Sequence, residues 1–311
     1  FALEEIAQGG RGKLFGESLS IDELSIDSRS LRQGSLFVAL RGKNCDGHNF
    51  ISDADLKGAK AFVVDRPIDN KKPYILVKNC ASFLHNLALF RRKKFTGKML
   101  CVTGSNGKTS TKDLIHSLLS NFGPCHKTLG NKNNKLGLAL TLSNLHSTYK
   151  YSVIEIATNF PGEIDSLTRI VIPDIALITN VSEGHLDGLG TIEKIAREKG
   201  DVLNYLKKEG IAILPKDSKF FQYWQDKIKG KQIISFGEDE CSFLSVKNIE
   251  VNMYENNTIF TLSNKNVEID CKINAIGDVF FLLLKYFASN LPAGPGIKIS
   301  IILLFTDDID N

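Results

Sequence analysis

Three runs of residues dominate the middle of this chain: "MLCVTG" (Met99–Gly104), "YSVIEIA" (Tyr151–Ala157) and "IALITNV" (Ile175–Val181). Each is apolar and β-rich without alternation, so both faces of each strand need cover. That is the pattern of a parallel sheet flanked by helices. The segments between supply the helices, at Lys112–Asn121, Gly162–Val171 and Ile192–Leu206. Strands alternating with helices give a doubly wound α/β sheet, in which ligands gather outside the carboxyl ends of the strands. The polar clusters GSNGKTS, ATN and NVSEGHLDG follow the three runs and fall at that edge. Further strands are expected at "GIAILP" (Gly210–Pro215) and "QIISFG" (Gln232–Gly237). Ser242–Ile273 alternates apolar and polar around an Asn-Asn turn and reads as antiparallel hairpins.

The first 95 residues carry a different rhythm. "SLFVAL" (Ser35–Leu40), "GAKAFVVD" (Gly58–Asp65) and "YILVK" (Tyr74–Lys78) are short strands, "ISDADLKG" reads as a helix, and Asn79 opens a longer one. This is a small α/β unit, and the basic stretch Arg91–Thr96 is either a linker or a solvated helix end. The 311 residues suffice for two cores. A net charge of +4 with dispersed basic residues gives little support to a nucleic-acid partner. Six cysteines far apart, with no C-x-x-C pair, fit a reducing cytosol better than a disulfide or zinc framework. No early segment reads as a signal peptide, and Phe1 suggests that the true start is missing. The longest apolar run, Val279–Leu284, is too short to span a bilayer. The expected domains are therefore 1–95, 96–290 and a divergent tail, 291–311.

The chemistry concentrates at the strand ends. "LCVTGSNGKTSTKDLI" has Val102 where a strict G-x-x-x-x-G-K-[ST] motif needs glycine. It nevertheless has Gly104, Ser105, Asn106, Gly107, Lys108, Thr109 and Ser110 between a strand and a helix. Glycines let backbone N–H groups converge on an anion, the helix start favours negative charge, and Lys108 can reach terminal phosphates. The Thr109 hydroxyl can ligate Mg²⁺. The bland alternative is a glycine-rich turn with an exposed lysine. Glu155 ends an otherwise apolar strand, where a carboxylate is costly unless it binds a metal or pairs with a lysine or arginine. His185 follows the third strand and is a candidate second metal ligand. "TLGNKNNKLG" (Thr128–Gly137) offers turn chemistry or amides aimed at a polar ligand, with Asn131 and Asn134 as candidates, and Asn180 follows the third strand. Lys199 is, to the physics of sequence alone, another lysine on a helix.

"VTGSNGKTSTK", "GNKNNKLG", "VIEIATNFPGEI" and "IPDIALITNVSEGHLDGLGTIEKIAREKGDVL" occur in the order seen in Mur ligases, and the chain resembles that family over residues 20 to about 215. The Asn-x-Asn-Asn-x-x-Gly stretch and Asn159–Ile164 favour the branch that adds a dipeptide over the sibling that adds the third peptide residue. "SIDSRSLRQGSLFVALRGKNCDGHNF" resembles the family's domain for the UDP-sugar end of the substrate. The resemblance implies a small amino-terminal α/β substrate domain and a P-loop-type central domain with a mostly parallel sheet and antiparallel hairpins. It implies a cytoplasmic bacterial enzyme, a monomer, that uses ATP and Mg²⁺ to join D-alanyl-D-alanine to UDP-N-acetylmuramoyl-tripeptide through an acyl phosphate. Gly104–Ser110, Asn131, Asn134 and Asn180 would then hold the nucleotide. Thr109 and Glu155 would bind one Mg²⁺, His185 a second, and Lys199 matches a lysine carbamylated in many members, which makes it a metal ligand. Ser28 and Arg29 would face the uridine nucleotide, with Asp46, Gly47 and His48 nearby.

The sequence also departs from the family. Where members carry a Gly-x-His-Asn turn near the adenine, this chain has "AIGDVFFLLLKYF", and nothing resembles the third domain. The helix "VFFLLLKYF" is expected to pack on the central sheet, with an irregular extension after about residue 292. An alternative is a degenerate homologue that binds UDP-substrate or nucleotide without ligating. A folylpolyglutamate-type ligase is a third reading, against which the DSR…FVALRG segment argues.

Overall fold

In the computed structural model the short apolar runs of the first hundred residues become one sheet; the structure describes residues 1–42, 45–182, 190–264 and 268–273. Helix α1 (Leu3–Gly10) precedes β1 (Lys13–Phe15), β2 (Leu24–Ser25), β3 (Leu36–Val38), α2 (Ile51–Leu56), β4 (Ala61–Val64), β5 (Tyr74–Leu76) and α3 (Cys80–Lys94). The strand order is β1-β5-β4-β3-β2, parallel except for β1 against β5. The β4 side chains are buried throughout, which is why "AFVV" shows no alternation. Asn79 caps α3 by accepting the Ser82 N–H at 2.8 Å. The basic end of α3 is packed rather than a linker. Arg91 is buried, pairs with Glu5 at 3.0 Å, and lies over the Phe1 ring at 4.0 Å.

The second sheet begins with β6 (Lys98–Thr103), followed by α4 (Lys108–Ser120) and β7 (Cys125–Lys127). The chain then returns to the first unit through α5 (Lys135–Ser143). There the Ser143 hydroxyl donates to Leu84 O, and the Asn144 amide bonds both the N–H and the carbonyl of Leu24. Helix α5 was not legible in the sequence: Gly137–Ser143 is buried throughout, so it has no polar face to set a period. The first unit is thus Phe1–Thr96 with Lys135–Thr148, and the second takes Gly97–Asn134 and the chain from Tyr149. A single division near residue 95 misses this exchange.

The second unit continues with β8 (Tyr151–Glu155), α6 (Glu163–Val171), β9 (Ile175–Ile178), α7 (Ile192–Gly200), β10 (Ile211–Pro215), α8 (Phe221–Lys227) and β11 (Gln232–Gly237). It ends in β12 (Leu244–Asn252), β13 (Asn257–Ser263) and β14 (Glu268–Ile273). The order is β14-β13-β12-β11-β10-β9-β6-β8-β7 among the described residues. It is parallel from β7 to β12 and antiparallel thereafter. Leu100, Val102, Val153, Leu177 and Ile213 meet Ile115, Leu118 and Leu119 of α4 in one core. This mixed α/β architecture, mostly parallel with antiparallel hairpins, is the fold class expected from the sequence. Two helix bounds differ: α4 starts at Lys108, four residues earlier, and α7 gives way to a 3₁₀ turn at Asp201–Leu203. The stretches Val279–Phe287 and 291–311 lie outside the described residues.

The edge of this sheet holds a titratable group. Burial pushes the His126 imidazole down to about 4, with the nearby His116 adding to the effect; its Nδ1 lies 3.0 Å from the Ser152 hydroxyl. Between pH 6.5 and 4 the unfolded chain therefore takes up a proton that the folded one refuses, and stability falls as pH drops through that window. The contribution is fully present above about pH 6.5. Going from pH 7 to 5, wild type should lose roughly 2 kcal/mol more than His126→Asn in urea unfolding. Parallel pH profiles for the two proteins would remove His126 as the cause.

Candidate active site

Strand β6 lies between β8 and β9. The chain leaves β6 for one side of it, through β7 and β8, and then crosses to the other at β9. This reversal is a topological switch point, where the loops at the strand ends splay apart and open a crevice. Register places Val102 beside Glu155, and Thr103 beside Ile178. The loop after β6, the end of β8 and the segment after β9 thus converge.

The loop itself, Gly104–Gly107, is bonded to the end of β9. The Ser105 N–H donates to Asn180 O at 3.0 Å, and the Asn106 N–H to Asn180 Oδ1 at 2.9 Å. The Thr179 hydroxyl donates to Asn106 O at 2.7 Å, and the Asn106 amide to the Ser182 hydroxyl at 3.0 Å. Gly104 makes this approach possible, since a Cβ there would lie 1.9 Å from Thr179 Oγ1. Gly107 has φ 75° and open space where a Cβ would be, so glycine serves its backbone conformation. Ser105 and Asn106, read in the sequence as phosphate donors through their N–H groups, direct those groups to Asn180 instead. Asn180 accordingly shapes the loop. The N–H groups of the first turn of α4, at Lys108, Thr109 and Ser110, have no partners within the helix, as at any helix start.

Two lysines close on the same carbonyl. Lys108 Nζ donates to Gly104 O at 2.9 Å and Ser105 O at 2.8 Å, and Lys199 Nζ reaches Gly104 O at 2.8 Å from α7. Burial lowers both pKa values. Lys108 is held up in part by Glu155, whereas Lys199 is pushed down to about 7 by burial and by the charge of Lys108. Lys199 is 2% exposed. Its neighbour Glu198 fixes α7 in place, accepting the N–H groups of Gly162 (2.7 Å) and Ile164 (3.0 Å) at the start of α6.

Glu155 is 1% exposed. Its Oε1 accepts from the Thr109 hydroxyl at 3.2 Å and from the Asn133 amide at 2.7 Å. Its Oε2 is buried with no hydrogen-bond donor, and the nearest cation is Lys112 Nζ at 3.9 Å. The lysine required by the bland reading of Glu155 thus exists, yet it does not complete the carboxylate. Lys112 and Asn133 are the residues that sequence reasoning missed. The signal for Lys112 was its spacing of four from Lys108 on one helix. Of the three asparagines, Asn131 and Asn134 are exposed while Asn133 turns inward. Among the described residues no group of three or more His, Cys, Asp or Glu is arranged for a metal. His185 lies outside the described residues.

In the first unit the candidate substrate residues separate into two sets. Ser28 is buried, whereas Arg29 is exposed and pairs with Asp27 at 2.8 Å. Asp46 accepts the His48 N–H (2.9 Å), bonds the His48 Nδ1 (2.8 Å) and accepts from Arg66 (3.0 Å). Hydrogen bonds from His48, backbone first, hold this carboxyl well below the usual carboxylate range. His48 Nε2 accepts the Asp65 N–H at 3.3 Å, and Arg41 pairs with Asp65 at 2.9 Å. Gly47 packs on the end of β3, where a Cβ would lie 2.6 Å from Leu40 N. Asp46 and His48 thus build the turn that carries them.

Comparison with known proteins agrees with this geometry. Residues 102–291 match the Mur ligase middle domain, and residues 20–92 match a second domain described as Mur ligase family, catalytic domain. The Escherichia coli UDP-N-acetylmuramoyl-tripeptide--D-alanyl-D-alanine ligase is 35% identical over 260 residues, 83% of this chain and 57% of that protein. The chain therefore spans a little over half the length of that relative. A crystal structure of MurF from Acinetobacter baumannii superposes with a TM-score of 0.76 at 29% identity, covering 93% of this chain and 63% of the other. A MurF ligase from Thermotoga maritima in complex with ADP gives 0.67 at 31% identity, over 86% and 61%. Among the described residues no helix is long and apolar enough to cross a membrane. With both family models matched and the Gly104–Gly107 loop, Glu155 and Lys199 meeting at one strand edge, this chain belongs to the Mur ligase family.

Proposed function

We propose that this chain serves the ATP-dependent joining of D-alanyl-D-alanine to UDP-N-acetylmuramoyl-tripeptide, in the bacterial cytoplasm. The observation that carries the reading is the convergence of Lys108, the Thr109–Glu155 bond and Lys199 at the switch point. In this reading the first turn of α4 receives the nucleotide phosphates through its N–H groups. Lys108 swings from its loop carbonyls to the terminal phosphates, which neutralises charge as phosphoryl transfer to the substrate carboxyl begins. The resulting acyl phosphate is then open to attack by the dipeptide amine, and phosphate leaves.

The donor set suits Mg²⁺. Glu155 Oε2 is a buried oxygen with no hydrogen-bond donor, and the Thr109 hydroxyl is bonded to the same carboxylate. Magnesium is commonly held by one or two carboxylates together with substrate phosphates. When bound it would screen the phosphate charge. Lys199, with its pKa near 7, is partly unprotonated at neutral pH, which is the form that can take up CO₂ and become a carbamate ligand. His185, by family resemblance, is the candidate for a second ion. Ser28 and Arg29 would face the uridine nucleotide, with Asp46–His48 shaping the neighbouring turn.

The test is phosphate release from ATP with UDP-N-acetylmuramoyl-tripeptide, with and without D-alanyl-D-alanine. Release that needs both substrates supports the assignment. Nucleotide and UDP-substrate binding with no dipeptide-dependent release would replace it with a binding role.

A further inference from the structure

We infer that Lys112 is a positioning residue for the carboxylate side of this site, acting through the asparagine loop and not on any bound group itself. The inference rests on the magnesium–nucleotide reading above. Lys112 lies one turn beyond Lys108, so the helix that opens on the phosphate loop also carries it, on the same face. It is 1% exposed, and fully buried lysines are rare and costly unless partnered.

Its partners explain the burial. The ammonium donates to Thr128 O at 2.8 Å and to Gly130 O at 3.2 Å, two carbonyls where the asparagine loop begins. Asp113 and Glu155 stand 3.4 and 3.9 Å away. Thr128, fixed in this way, accepts the Glu155 N–H on its hydroxyl at 3.1 Å. Beyond Gly130 the loop turns so that the Asn133 amide donates to Glu155 Oε1, and the Asn133 carbonyl accepts the Ala157 N–H at 3.2 Å. The loop thus grips the Glu155 strand at both the backbone and one carboxylate oxygen, and leaves Oε2 open. Without the ammonium, Thr128 O and Gly130 O lose their buried donor, and nothing on α4 replaces it. Asn133 then loses the anchor that delivers it to Glu155.

The experiment is a titration of ADP, in excess Mg²⁺ and separately in EDTA, into wild type, Lys112→Met, Asn133→Ala and the double variant. Methionine keeps the length of the buried stem and removes the charge and donors. Lys112→Met should weaken binding in Mg²⁺ by about tenfold or more, the scale on which partners of metal ligands act, and binding in EDTA by less than about threefold. Asn133→Ala should shift the Mg²⁺ value in the same direction. The double variant should fall within about twofold of Lys112→Met, because both changes break one bond. Equal losses in Mg²⁺ and EDTA, additive losses, or an unchanged Mg²⁺ affinity would overturn the inference. If Lys112→Met does not fold, Lys112→Gln, which keeps an N–H-donating amide without the charge, must show the same selective loss in smaller measure. A wild-type chain that binds no ADP overturns the nucleotide reading and this inference with it. Competent wild type with an unaffected Lys112→Met overturns only the role of Lys112.

Discussion

Lys108→Ala should reduce turnover by about a thousandfold and nucleotide affinity by at least about tenfold, with little change in stability. The expectation follows from where its ammonium rests. Lys108 Nζ donates only to carbonyls of its own loop, Gly104 and Ser105, which are geometrically available to it without the rest of the fold. Losing those bonds leaves the loop tied to Asn180, Thr179 and Ser182 as before. What disappears is a positive charge at the helix start, where the proposed reading puts the terminal phosphates. Parallel ADP titration and thermal unfolding test this. A variant with wild-type ADP affinity and turnover would show that the loop is a tight turn and no phosphate site.

Changing Glu155 should have two separable effects. Glu155→Gln keeps an oxygen for Thr109 but gives up the negative charge, so Mg²⁺-dependent ADP binding should drop by about a hundredfold. Glu155→Ala does more. It opens a cavity beside Lys112 and takes the acceptor away from both the Asn133 amide and the Thr109 hydroxyl, while Asp113, 3.4 Å from the Lys112 ammonium, remains its counter-charge in either variant. Stranding a buried donor costs about 1 to 3 kcal/mol and the cavity adds to it, so the alanine variant should also unfold at clearly lower urea than the glutamine variant. Glutamine and alanine variants with equal stability would mean that the Thr109 and Asn133 bonds to residue 155 contribute nothing to stability. A glutamine variant with full Mg²⁺-dependent binding would remove Glu155 from the metal site.

How far the sequence reached can be judged residue by residue. "MLCVTG", "YSVIEIA" and "IALITNV" specified buried parallel strands, because only burial on both faces suits unbroken apolar runs. The strand–glycine–helix grammar around Gly104 and Gly107 specified a candidate phosphate loop, because backbone conformation there depends on local sterics. Lys199 was named only through family resemblance. A lysine on a helix carries no local sign that burial and Lys108 will bring its pKa to about 7.

Asn133 and Lys112 mark the limit. Both are ordinary residues in their own stretches, and their roles arise where α4, the asparagine loop and β8 meet. That Asn133, and not Asn131 or Asn134, bonds Glu155 was not legible because loop side chains have no period from which to read direction. The exchange of α5 into the first unit was hidden for a related reason: its sequence is apolar on every side, so it could not announce which core it joins. Sequence by itself therefore determined the strands, the helices with a polar face, and the anion-ready turn, all products of short-range sterics and burial pattern. Tertiary structure alone decided which amide meets Glu155 and which lysine lies beneath it, because those contacts join residues 22 and 43 positions apart whose encounter depends on strand order and register.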